Sequence, residues 1–125
     1  MIWIAIATIN KNIQLKLSSL LPAEAFSGMK EAVDSGHLPR VQDLTKQGFP
    51  EDLAGHLVDH LTYLKGLYEK KVLKGGGPCA GFEKAILIYE CNTEAEARTH
   101  LENDPYFKNA IFTKSYDIYL WYKVF

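Results

Sequence analysis

The sequence predicts an α+β fold in which four strands and two principal helices follow the split order strand, helix, strand, strand, helix, strand. Three observations carry this. Met1–Ile9 is a short, β-branched apolar run with no polar face. Leu53, Leu57, Leu61, Leu64 and Tyr68 recur at the three-to-four spacing of one helical stripe. Two further apolar runs, within Lys84–Cys91 and Tyr116–Phe125, flank a segment that opens with a helix-capping sequence. With 125 residues the chain has room for one domain, expected to span 1–125.

The elements follow in order. Met1–Ile9, bounded by Asn10 and Asn12, reads as a buried first strand. Residues 13–21 fit either a helix or extended chain. Pro22 stands where a first helical turn begins, and Phe26, Met29, Ala32 and Val33 give residues 23–35 a helical face before Gly36 ends it. Residues 36–50 carry Gly36, Pro39, Gly48 and Pro50 and read as an irregular connection with at most a turn of helix near 40–47. Residues 51–71 form the strongest helix, acidic at its start and lysine-rich at its end, as the helix dipole favours. Val72–Lys74 begins a strand, and Gly75-Gly-Gly-Pro-Cys-Ala-Gly81 is expected to turn the chain. The strand at 84–91 follows. Thr93-Glu-Ala-Glu96 is a capping box that starts a helix over 94–102, and Asp104-Pro105 stops it. A last strand is expected over Tyr116–Phe125. The whole is a ferredoxin-like arrangement with a four-stranded antiparallel sheet, and residues 11–50 form an extra helical insertion after the first strand.

Composition removes several function classes. Fourteen basic side chains against 15 acidic ones leave no electrostatic footprint for a phosphate backbone, so nucleic acid is not an expected partner. The apolar N-terminus lacks a basic flank and a cleavage site, and at about nine residues it is too short for a bilayer, so no membrane association is expected. Cys79 and Cys91 are too few for a disulfide framework, which fits a reduced, cytoplasmic setting.

Aromatic residues are unevenly placed, with eight of fifteen at or beyond Tyr106. By strand parity, Tyr116, Ile118, Leu120, Tyr122 and Val124 share one side of the last strand, and Asp117, Tyr119, Trp121, Lys123 and Phe125 share the other. In the first strand Trp3, Ala5, Ala7 and Ile9 oppose Ile2, Ile4 and Ile6. Helices cover only one face of such a sheet, yet both faces are apolar. A homodimer packed through the open sheet face, closing toward a dimeric α/β barrel, is therefore expected. The competing arrangement lays residues 11–50 over that face.

Among candidate chemical groups, His60 lies beside the apolar stripe of the long helix and is suited to acid–base work near neutral pH. His56 sits one turn earlier, but the pair lacks a third ligand in the sequence, and no metal site is expected. His37 and His100 read as solvent-facing. Asp104 is held between a helix end and a fixed proline ring. Gly75-Gly-Gly-Pro78 lacks the Lys-Ser or Lys-Thr of a phosphate loop, and Gly77 and Pro78 suit a wall where a small ligand approaches the main chain. Cys79 has no flanking feature that would activate a thiol. Tyr63 and Tyr106 read either as pocket-lining or as core-edge residues.

His60-Leu-Thr-Tyr-Leu64, Leu67-Tyr-Glu-Lys-Lys-Val-Leu73, Gly76-Gly-Pro78, Ala85-Ile-Leu-Ile-Tyr-Glu90, Thr93-Glu-Ala-Glu-Ala97 and Asp104-Pro-Tyr106 together resemble the YCII-related family, over residues 56–125 and loosely the first strand. The resemblance implies a dimeric α+β barrel with His60 and Asp104 as the catalytic pair in a cleft. Tyr63, Gly77, Pro78 and Tyr106 are the expected substrate contacts, and no cofactor is expected. The family includes a chlorinated hydroxyquinol dehydrochlorinase, and related barrels include muconolactone isomerases, so the implied activity is a lyase or isomerase acting on a small cyclic or aromatic compound. The alternative is a non-catalytic dimeric module that binds a small metabolite or a protein. Gly76, where the family commonly has alanine, and the long 11–50 connection are departures.

Overall fold

In a computed structural model, which describes residues 1–125, the chain runs β1 (Ile2–Ile9), α1 (Lys11–Leu20), α2 (Ala25–Asp34), α3 (Val41–Lys46), α4 (Glu51–Glu69), β2 (Leu73–Pro78), β3 (Lys84–Glu90), α5 (Glu94–Glu102), α6 (Pro105–Lys108) and β4 (Phe112–Trp121). The strands form one open antiparallel sheet in the order β2-β3-β1-β4. This is the α+β, ferredoxin-like topology expected from the sequence. No helix is long and apolar enough to cross a membrane.

Strand parity sorts the side chains as anticipated. Trp3, Ala5, Ala7 and Ile9 of β1 and Ala85, Leu87 and Tyr89 of β3 are buried on the helical side. Ala5 and Ala7 are small enough for helices to approach the sheet closely. On the other side Ile2, Ile4 and Ile6 meet Trp121, Tyr119 and Asp117 across the β1–β4 ladder. Ile86, Tyr119 and Trp121 remain 37%, 55% and 42% exposed there, so the single chain leaves an apolar face uncovered.

Residues 11–50 do not lie over that face. Leu17, Leu21, Leu44 and Phe49 join the same core as Leu53 and Leu57 of α4, so the segment packs on the helical side. Residues 11–20, which fit two conformations by sequence, are helical: the Asn10 side chain accepts from the Asn12 amide and caps α1, and Leu17 supplies its one buried contact. Residues 41–46 also form a helix, with the Arg40 amide and guanidinium both donating to Asp43.

Two expected boundaries move. Gly75–Pro78 stays in β2 rather than turning, and the reversal falls at residues 79–83, where Gly81 and Phe82 adopt φ of 85° and 60°. β2 is an edge strand, where proline is tolerated, and β3 provides the ladder that glycines would not form unaided. A Cβ at Gly76 would sit 3.0 Å from Leu87 Cδ2, so any larger residue here requires the Leu87 side chain to give by a few tenths of an ångström. β4 spans 112–121 rather than 116–125 because β1 is its template. Phe112 pairs with Ile9 and Trp121 with Ile2, after which β1 ends and Tyr122–Phe125 have no ladder to join.

The helix over 94–102 forms as expected. The Thr93 side chain accepts from the Glu96 amide, while the Glu96 carboxylate accepts from the Asn92 amide, one residue before the usual capping-box position. Thr93→Ala is expected to destabilise the protein by about 1 kcal/mol, with Thr93→Ser near wild type. The change reads as a lowered urea midpoint at constant m-value.

Candidate active site

The buried stripe of α4 runs through Leu53, Leu57, His60 and Leu67, while Leu61 and Leu64 lie half-buried on its flank. The stripe is thus rotated from the Leu61-centred one expected by spacing, and His60 occupies a core position rather than a boundary. Its burial is tolerated because it has a partner. Nδ1 lies 2.7 Å from Asp104 Oδ1 across 44 residues of sequence, with Asp104 entirely inaccessible to solvent. An ionised carboxylate only accepts, so Nδ1 carries the shared hydrogen. Nε2, the other ring nitrogen, makes no hydrogen bond within the protein.

Asp104 is fixed from its own side as well. It caps the single-turn helix α6, with Oδ1 also accepting from the Tyr106 amide at 2.9 Å and Pro105 following at the first helical position. The Asp-Pro-Tyr sequence therefore both stops α5 and aims a carboxylate at α4. Tyr106 completes the clamp, its ring stacked on the His60 ring at 3.8 Å with 1° between planes. Phe112 meets both rings edge-on, at 5.7 Å from His60 and 5.4 Å from Tyr106. Imidazole rotation is blocked on two sides.

His60 and Tyr106 form part of the wall of a cavity of about 550 Å³ bounded by α4, β2 and the α1–α2 segment. Gly77 and Pro78 line it, as does Gly76. Tyr63 does not. Its hydroxyl donates to the His100 carbonyl at 2.6 Å, tying α4 to α5. The sequence reading missed Phe112, Leu17, Leu21 and the inner face of α2, which supply much of the apolar lining. The spacing of Phe26, Met29 and Val33 was their visible signal, but only the tertiary fold shows what that face meets. His100, expected in solvent, is half-buried against the Tyr89 ring, and loss of hydration lowers its pKa. His56 and His60 are not joined by a third metal-ligating side chain.

The second Asp104 oxygen, Oδ2, is sealed and has no partner within the chain, as are the Tyr89 and Tyr106 hydroxyls. Burial, followed by the nearby Asp104 charge, pushes Tyr63 up to about 12 and raises Tyr89 and Tyr106 as well. All three phenols stay neutral donors through the physiological range.

An α+β domain carrying a sealed histidine–aspartate pair at the wall of an apolar cavity defines the class. The YCII-related domain model matches residues 29–122, and the chain belongs to that family. Among solved structures, 5-chloro-2-hydroxyhydroquinone dehydrochlorinase from Burkholderia phenoliruptrix AC1100, in complex with 2,5-dihydroxybenzoquinone, matches with a TM-score of 0.55 at 17% identity, covering 98% of this chain and 94% of that chain. The match shows a shared fold. No curated protein matches the chain.

The raised tyrosines give a signed expectation. Their protonated form is favoured in the folded state, so the stability they contribute is complete below the unfolded value near 10 and is lost as pH climbs above it. At pH 11 the native protein should show less tyrosinate absorbance at 295 nm than the unfolded chain, with Tyr63, Tyr89 and Tyr106 each withholding a little under one tyrosinate, and the deficit should vanish on denaturation.

Proposed function

We propose that this YCII-related protein is a cofactor-free lyase or isomerase acting on a small cyclic or aromatic compound, with His60 as the acid–base group and Asp104 as its orienting partner. The observation that carries the reading is the 2.7 Å contact between His60 Nδ1 and a fully buried carboxylate, at a ring that forms part of a cavity wall. Asp104 holds the tautomer that leaves Nε2 basic and stabilises the imidazolium once a proton is taken. In an isomerisation that proton returns to a different substrate atom. In an elimination it accompanies the departing group. Tyr106, Gly77 and Pro78 supply flat or side-chain-free walls against which a ring can lie. Shared family membership and a fold in common with a dehydrochlorinase support the reaction class.

The test is turnover of a panel of hydroxylated and halogenated cyclic compounds. His60→Ala is expected to lower kcat by about 10²- to 10⁴-fold with the circular dichroism spectrum unchanged. Asp104→Asn should lower kcat more than it raises KM. Unchanged turnover in His60→Ala would remove the proposal.

The reading includes a homodimer. Ile86, Tyr119 and Trp121 form an apolar surface on the sheet face opposite the helices, and two such faces packed together would cover each other. Light scattering should give twice the 14.1 kDa chain mass, and Trp121→Glu should shift the species to a monomer. A wild-type monomer at micromolar concentration would contradict it.

A further inference from the structure

From the size and lining of the cavity we infer that its ligand is an extended molecule: a polar, ring-sized head at His60 joined to an apolar body that continues along α4 toward α2. This rests on the proposed function for the head and adds the class of the remainder.

Volume gives the first argument. A water takes roughly 30 Å³, and a substituted six-membered ring has about ten non-hydrogen atoms, each needing no more than that. Such a ring fills at most about half of a cavity of about 550 Å³. The remainder would be water against apolar walls, an unfavourable filling that an apolar group displaces.

Shape gives the second. Leu57, His60, Leu61, Leu64 and Tyr68 of α4 all line the cavity. At 1.5 Å per residue they span about 16 Å, far more than one ring needs. Beyond His60 the α4 wall is Leu61 and Leu64, and the charged lining residues are Lys30 and Asp34 on α2, Lys65 on α4 and Lys74 on β2, the last paired with Glu90 at 2.8 Å. Lys30 and Asp34 pair with one another at 2.9 Å, and the Lys65 ammonium pairs with Glu69 at 3.4 Å, so the charges are already answered without a ligand.

Helix α2 gives the third. It has no buried residue, yet Phe26, Met29 and Val33 face the cavity at helical spacing. Phe26 and Met29 pack against the core only in part, Phe26 meeting Phe82 at 5.7 Å, and the remainder of this apolar face borders the cavity. A ligand confined to the His60 end would leave it unused, whereas an extended apolar body would complete its packing. The floor opposite is main chain, with β2 lining the cavity at Gly75, Gly76 and Gly77, of which Gly76 pairs with Leu87 on this side of the sheet.

The experiment is calorimetric titration of the full chain with phenol, 4-ethylphenol, 4-butylphenol and 4-hexylphenol. Affinity is expected to rise about three- to fourfold per added methylene, near 100-fold from the ethyl to the hexyl compound. Leu64→Trp on α4 and Met29→Trp on α2, which fill the distal half from two different elements, should each reduce that gain to less than fivefold. A flat series in the wild type overturns the inference. So does a gain that survives both tryptophan variants, because the alkyl chain then binds elsewhere, such as the open sheet face. In His60→Ala the gradient with chain length is expected to persist. A flat series combined with His60-dependent turnover would therefore discard the extended ligand and keep the catalytic pair, and a steep series with His60-independent turnover would do the reverse.

Discussion

The buried hydrogen bond between His60 and Asp104 is the constraint to which the rest of the structure answers. Withdrawing a carboxylate and an imidazole from water is expensive, and only a well-formed contact offsets it. Each partner is therefore fixed twice: Asp104 by His60 and the Tyr106 amide, His60 by Asp104 and the face of Tyr106. The bond also brings α6 against α4, so the C-terminal half of the chain is registered on the long helix by a polar contact rather than by leucines alone. A buried polar pair adds little net stability over an apolar one of the same shape. The pair stands at a cavity wall, and Oδ2 has no partner within the chain, both of which accord with the proposed role. A purely structural contact would more often have both oxygens satisfied.

Cavity and sheet are consequences of the same local choices. Four strands with helices on one side would ordinarily close into a filled two-layer core. Here the edge strand β2 brings glycine where a branched residue would fill space, and α2 stands off with its apolar face half-covered. Gly76 shows the balance. Its missing side chain lets the main chain lie close to Leu87, and a Cβ at that position would force Leu87 to move. The space over β2 is thus part of how the strand packs, and filling it through mutation disturbs β3.

Much of this was legible in the sequence. Alternation gave the faces of β1 and β4, because a residue's side of a strand depends only on parity. The Thr93 cap and the Asp104-Pro105 stop gave α5, because both act within a few residues. Errors arose where a distant partner decided the outcome. Gly75–Pro78 reads as a turn in isolation, and only pairing with β3 makes it a strand. The end of β4 is set by where β1 stops, which nothing near Trp121 encodes. His60 looked like a boundary residue because an apolar stripe cannot include a histidine until its acid is known, and Asp104 lies 44 positions away. Tyr63 illustrates the opposite case: one residue in a matched segment faces α5, not the cavity, because three positions along a helix turn a side chain some 300°.

Strand parity has one further consequence. Residues of the open sheet face, Ile2, Ile4, Ile6, Ile86, Tyr119 and Trp121, alternate with those that pack against the helices, and the lining of the cavity uses none of them. What β1, β3 and β4 give to the cavity comes from the helical side of the sheet, Ile9, Ala85, Leu87 and Phe112, while the edge strand β2 lines it along its length. The two apolar surfaces therefore share a backbone but no side chain. A substitution on the open face changes what covers that face without altering a wall of the cavity, and a substitution at Leu87 or Gly76 does the converse. Any influence between them must pass through the backbone of β1 and β3, whose ladder runs unbroken from Ile2–Glu90 to Thr8–Lys84 and resists such deformation. The proposed dimer surface and the proposed ligand cavity are thus separable by construction, so a change of ligand need not alter the open sheet face.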